Sequence, residues 1–199
     1  MGQTDLFDEN SNSETNYTRK GSSNILVYKI SQILTEIIED NKETNIQENF
    51  SNRTNFFTKK KPKITILKYL ERIIKHTGIE QGTLISSIIY LDKIANSKGI
   101  LLNENNLHRY IILLILFRFL LTSILISIKF NDDDYFDNKF YADVGGIELE
   151  EINSLEIELL DLLDWKLYID KELYGQYQSY FEKYNINLEE LCIKSQLCF

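Results

Sequence analysis

Apolar residues crowd one stretch of this chain to a density found nowhere else in it. Between Leu107 and Phe130 (LHRYIILLILFRFLLTSILISIKF) they occupy every side of a helical wheel, and a single charge, Arg118, lies between Arg109 and Lys129. A helix that is apolar all round is either a core helix wrapped by others or a membrane span. A span needs about 18 or more apolar residues with few charges. Arg118 splits the run into Tyr110–Phe117 and Phe119–Ile128, each too short to cross alone, and Thr122, Ser123 and Ser127 weaken the spanning reading further. The pattern predicts a buried central helix. The alternative is a membrane-associated helical protein anchored by residues 110–128.

The remaining apolar residues form stripes. Ile25–Glu39 repeats Leu26, Ile30, Ile33, Leu34, Ile37 and Ile38 at helical spacing. Thr65 is placed to cap a helix carrying Ile66, Leu67, Tyr69, Leu70, Ile73 and Ile74, with Gly78 as its stop. Gly82-Thr83 opens another, with Leu84, Ile85, Ile88, Leu91 and Ile94 on one side and Gly99 at its end. After the central run, Asn131–Asp134 forms an acidic turn. Tyr135–Val144 reads as a short helix closed by Gly145-Gly146, Glu148–Trp165 as a strongly amphipathic one, and Lys171–Tyr184 as a last one. Short connections between helices make a bundle. With one proline, Pro62, and 8 glycines in 199 residues, tight-turned strands are disfavoured and the fold class is all-α.

Residues 1–23 are polar without apolar periodicity. Such a segment cannot bury enough to offset its ordering entropy, so a disordered tail is expected there. Residues 24–61 read as an N-terminal helix and a loose linker, 62–167 as the compact region and 168–199 as a C-terminal helical extension. The formal net charge of −8 argues against a general nucleic-acid partner, which would present a basic face. Lys59-Lys60-Lys61-Pro62-Lys63 is short and reads as part of the solvated linker. Cys192 and Cys198 make no disulfide framework and suit a reducing, intracellular setting. The N-terminus lacks the apolar core of a signal peptide, and Leu6 stands where a myristoylation motif needs Ser or Thr.

Two charged residues break the apolar pattern. In the amphipathic helix, Leu149, Ile152, Leu155, Leu159, Leu160, Leu162 and Leu163 share one face, while Glu150, Glu151, Glu158 and Asp161 point away. Glu156 falls inside the apolar arc, between Ile152 and Leu160. A carboxylate there is costly unless it is paired or reaches water at the stripe's edge. Lys129 ends the most apolar helix of the chain, where a cation complements the helix C-terminus. Asp132–Asp134 fails the calcium-loop template, since Phe136 and Asp137 stand where a ligand and the glycine belong. His76 and His108 sit in separate helices without cysteine neighbours. No nucleophile elbow, phosphate loop or dinucleotide fingerprint occurs, so neither an enzyme nor a cofactor is expected.

In order, YLERI (Tyr69–Ile73), IIYLDKI (Ile88–Ile94), NLHR (Asn106–Arg109), ILISIKFNDD (Ile124–Asp133), KFYADVGGI (Lys139–Ile147) and LEIELLDLLDW (Leu155–Trp165) resemble the cyclin box of P-type, or U-type, cyclins. The resemblance covers Pro62–Leu167. It implies a five-helix bundle around its third helix, with flanking helices. It also implies a regulatory subunit that binds and activates a cyclin-dependent protein kinase in control of the cell cycle or cell division, in nucleus and cytoplasm, with no membrane partner. The family's lysine–glutamate pair, which faces the kinase's regulatory αC helix, falls on Lys129 and Glu156.

Two departures stand out. The family runs from its His-Arg pair straight into an LLTSVMVAAKF-like sequence, whereas Tyr110–Arg118 intervenes here. About nine extra residues lengthen a helix by roughly 13 Å, so either its start protrudes or Asn103–Arg109 is displaced. Lys68 stands where relatives often carry an acid.

If the first 23 residues contribute nothing to the fold, a chain starting at Ser23 retains its kinase in a pull-down. Loss of binding by a truncation that still melts cooperatively would contradict this.

Overall fold

In a computed structural model of the chain, residues 25–38, 64–98 and 109–185 are described; the expectations for the 1–23 tail, the linker to residue 61 and the end of the C-terminal extension lie outside them. The described residues form helices only: α1 (25–38), α2 (Ile66–Thr77), α3 (Gln81–Lys98), α4 (Arg109–Asn131), α5 (Asn138–Gly145), α6 (Leu149–Leu162) and α7 (Lys171–Lys183). The all-α expectation holds.

Helix α4 is the axis. Phe119, Leu120, Leu121, Ile124 and Leu125 are fully buried, and Ile115, Leu116, Phe117, Ile126 and Ile128 are nearly so. Thr122, Ser123 and Ser127 of α4 are buried too, and each donates to a backbone carbonyl. Thr122 Oγ1 donates to Arg118 O at 2.8 Å and Ser123 Oγ to Leu120 O at 3.1 Å within the helix, while Ser127 Oγ reaches across to Thr83 O at 2.7 Å. A buried hydroxyl without a partner costs about 1–3 kcal/mol. Three satisfied ones leave an apolar helix that α3 can pack against closely.

Helix boundaries follow their capping residues. Thr65 accepts from Lys68 N, and Gly78 (φ 65°) ends α2 in the left-handed region. Asp137 and Asp170 cap α5 and α7 by accepting from Phe140 N and Leu173 N. The two glycines after Val144 do different work. Gly146 (φ 73°) turns the chain at the end of α5, and a Cβ on Gly145 would stand 2.2 Å from Leu121 Cδ2. Arg72 of α2 donates to Gly145 O at 3.3 Å, fixing that turn to the bundle.

Helix α6 stops three residues short of the expected Trp165. Asp164 (φ 50°) and Trp165 (φ 58°) enter the left-handed region instead. The turn sends the chain back across α3, where Tyr90 Oη donates to Leu167 O at 2.9 Å. Burial pushes the Tyr90 phenol up to about 12. Helix α7 then lies against α3. It also meets α1, with Lys29 Nζ donating to Phe181 O and Tyr184 Oη to Glu36 Oε1 at 2.8 Å. Leu26, Val27, Ile30 and Ile38 of α1 belong to the same core as α2–α6.

Of the Tyr110–Arg118 stretch only side chains 115–118 lie within the described residues, residues 103–108 lie outside them, and those four side chains do not protrude. Ile115, Leu116 and Phe117 are buried, Phe117 packs on Tyr69 with ring centroids 4.4 Å apart, and Arg118 pairs with Glu151. The membrane alternative is not favoured by the same residues. No helix among the described residues is long and apolar enough to cross a membrane, and those side chains face other helices.

Phe117→Ala should therefore cost about 3–5 kcal/mol of folding stability, read from urea unfolding. A loss below about 1 kcal/mol would place this part of α4 outside the core.

Candidate functional site

Lys129 and Glu156 lie 27 residues apart and meet in space. Lys129 Nζ stands 2.7 Å from Glu156 Oε1, joining the last turn of α4 to the middle of α6. Their side chains are 29% and 15% exposed, so the pair sits at the edge of the core with its charges reaching solvent. Ile152, Leu155 and Leu159 beside Glu156 on α6 are fully buried. This explains how a carboxylate survives in an apolar arc: it is paired, and it lies at the rim.

The second carboxylate oxygen is also held. Asn138 Nδ2 donates to Glu156 Oε2 at 2.7 Å and, with its other hydrogen, to Asn153 Oδ1 at 2.7 Å. Neither asparagine stands out in the sequence, because asparagine is abundant and the contact spans 18 residues. A second ion pair, Arg118 with Glu151, joins α4 to α6 one helical stretch away, with Arg118 Nε donating to Glu151 Oε1 at 2.5 Å. Sequence reading placed Glu151 on the outward face and took Arg118 only as a break in the apolar run. Its pairing required knowing that α4 and α6 are neighbours.

Exposed apolar and aromatic residues flank the first pair along the chain, interspersed with exposed Asp133, Asp134 and Asn153. Phe130 follows Lys129, Tyr135 and Phe136 lie in the loop to α5, and Ile157 follows Glu156; all four are exposed. Phe136 stacks on Phe140 with centroids 4.0 Å apart. In the acidic loop, Asp132 accepts from Thr83 Oγ1 at 2.7 Å. Among the described residues no group of three or more His, Cys, Asp or Glu side chains is placed to hold a metal ion. Lys68 is exposed on α2.

Residues 24–167 match the family model of the cyclins. The chain belongs to the cyclin family. Among its relatives is cyclin-U4-1 of Arabidopsis thaliana, 32% identical over 170 residues that cover 84% of this chain and 80% of the relative. PHO85 cyclin-7 of Saccharomyces cerevisiae is 30% identical over 199 residues, covering 92% and 70%. Cyclin-P3-1 of Oryza sativa is 34% identical over 130 residues, covering 65% of this chain and 51% of the relative. These similarities set the chain in the P/U-type branch. The matched region takes in α1 as well as the five box helices α2–α6. As a cyclin, the chain has the general role of a regulatory subunit for a cyclin-dependent kinase.

A partly exposed ion pair contributes little to folding, typically 0.2–1 kcal/mol. A double-mutant cycle with Lys129→Ala and Glu156→Ala should give a coupling below about 1 kcal/mol in urea unfolding. A coupling of several kcal/mol would make the pair mainly structural.

Proposed function

We propose that this cyclin binds and activates a cyclin-dependent kinase through the surface where α4, α5 and α6 converge, and that it thereby regulates the cell cycle or cell division. Residence in nucleus and cytoplasm belongs to the same proposal. The observation that carries it is the Lys129–Glu156 pair set at the rim of the core beside exposed Phe130, Tyr135, Phe136 and Ile157. Such a patch has the anatomy of an interface, with apolar and aromatic area beside a few oriented charges.

The mechanism is a shift of population. Phosphoryl transfer in a protein kinase needs its β3 lysine paired with the αC glutamate. A cyclin that binds the αC-in state more tightly moves the equilibrium by its differential affinity and no further. The apolar patch supplies contact area. Lys129 uses one of its three donors on Glu156, and its remaining donors suit carbonyl or carboxylate groups of the kinase. The pair fixes register, because the remaining donors of Lys129 meet acceptors of the kinase in one alignment only.

The test is Lys129→Ala and Glu156→Ala, each titrated against the co-purified kinase with activity as readout. Loss of a desolvated interface charge typically costs about 2–5 kcal/mol, on the order of 30- to 4,000-fold in affinity. Melting should change little. Variants that melt normally and activate fully would exclude this surface. Variants that unfold would make the pair structural.

A further inference from the structure

Asn138 is the first residue of α5, and nothing in that helix requires its side chain. Asp137 already supplies the N-cap by accepting from Phe140 N at 2.9 Å. The Asn138 amide is turned the other way, toward α6. Its two hydrogens go to two acceptors, Glu156 Oε2 and Asn153 Oδ1, both at 2.7 Å. Glu156 Oε1 meanwhile accepts from Lys129 Nζ at 2.7 Å. One carboxylate is therefore gripped from both sides, by a cation on α4 and an amide on α5.

The terminal torsion of a glutamate is broad, so a single partner leaves the carboxylate plane free to rock. Two partners on different oxygens define the plane. That in turn defines where Lys129 Nζ sits and where its remaining donors point. We infer that Asn138 is a positioning residue for kinase binding, acting through Glu156 to orient the Lys129–Glu156 pair. The inference rests on the reading that this pair faces the kinase. It assigns Asn138 a role that charge and hydropathy patterns do not reveal, since an uncharged side chain does the orienting.

An amide is suited to this place for two reasons. It presents two N–H donors in one plane, enough for Glu156 and Asn153 together. It is also neutral, so it leaves the pair's charge balance unchanged. Aspartate has nearly the same shape but offers an oxygen to Glu156 Oε2, setting like charges in contact.

The experiment titrates the co-purified kinase with the full chain and follows two quantities, the midpoint of activation and the plateau activity. Melting is recorded for each variant. Asn138→Ala should shift the midpoint about tenfold, less than Glu156→Ala itself, since it acts only through that carboxylate, with the plateau retained. Asn138→Asp should shift it further. In a Glu156→Ala background, Asn138→Ala should add less than twofold, because its only route to the kinase is gone. If Asn138→Asp fails to melt cooperatively, Asn138→Ala alone and in the Glu156→Ala background carries the test. A merely structural role would lower the plateau or the melting temperature and leave the midpoint in place, which would overturn the inference. So would a full midpoint shift that persists without Glu156. Normal midpoints for both Asn138 variants, with Lys129→Ala and Glu156→Ala impaired, would reject Asn138 and keep the pair. Normal midpoints for the pair's own variants would reject the kinase-facing surface itself.

Discussion

The fold depends on enclosing a helix that has no polar face. The consecutive residues Phe119–Leu125 cover every side of α4 and all are fully buried, five of them large apolar side chains, so no side of that stretch is left to solvent. Burying each such side chain contributes about 1.5–3 kcal/mol. The only way to gain it all round is to surround the helix. Helices α2, α3, α5 and α6 each contact α4. Their amphipathic stripes are the complement of its uniformity.

Enclosure creates a problem of polar satisfaction. Thr122, Ser123 and Ser127 are as buried as their leucine neighbours, and Ser127 spends its hydroxyl on a carbonyl of α3. Small hydroxyl residues let α3 approach without stranding a donor. The tight approach extends to α5, where Gly145 leaves room for Leu121 that any side chain would take away. The glycine pair is therefore a packing requirement and a turn requirement side by side.

The proposed kinase-binding surface lies where the enclosure ends. At the C-terminal turn of α4 burial gives way to exposure, from buried Ile128 to exposed Phe130, and charge becomes tolerable because water is near. Lys129 and Glu156 sit at that rim, with Asn138 closing the second side of the carboxylate. Binding surface and core are thus continuous. The same helices that bury Ile124 and Leu155 hold the charges and the exposed aromatic residues in fixed register.

Periodicity alone carried the helical content, because apolar spacing along a helix is a local property. The uniformly apolar run from Leu107 to Phe130 marked the axis, and capping residues such as Thr65, Asp137 and Gly146 act within a turn of their own positions. Glu156 and Lys129 were visible as violations of pattern, and motif order matched them to the family's pair. What the sequence could not contain was pairing across helices. That Lys129 meets Glu156, that Asn138 meets the same carboxylate, and that Arg118 meets Glu151 depend on which helix faces lie together after packing. The turn at Asp164 and Trp165 is another such case. Local pattern extended α6 to Trp165, but the connection back across α3 ends it at Leu162 and holds two non-glycine residues at positive φ. In each instance the deciding energy is long-range, supplied by neighbours that local spacing does not encode.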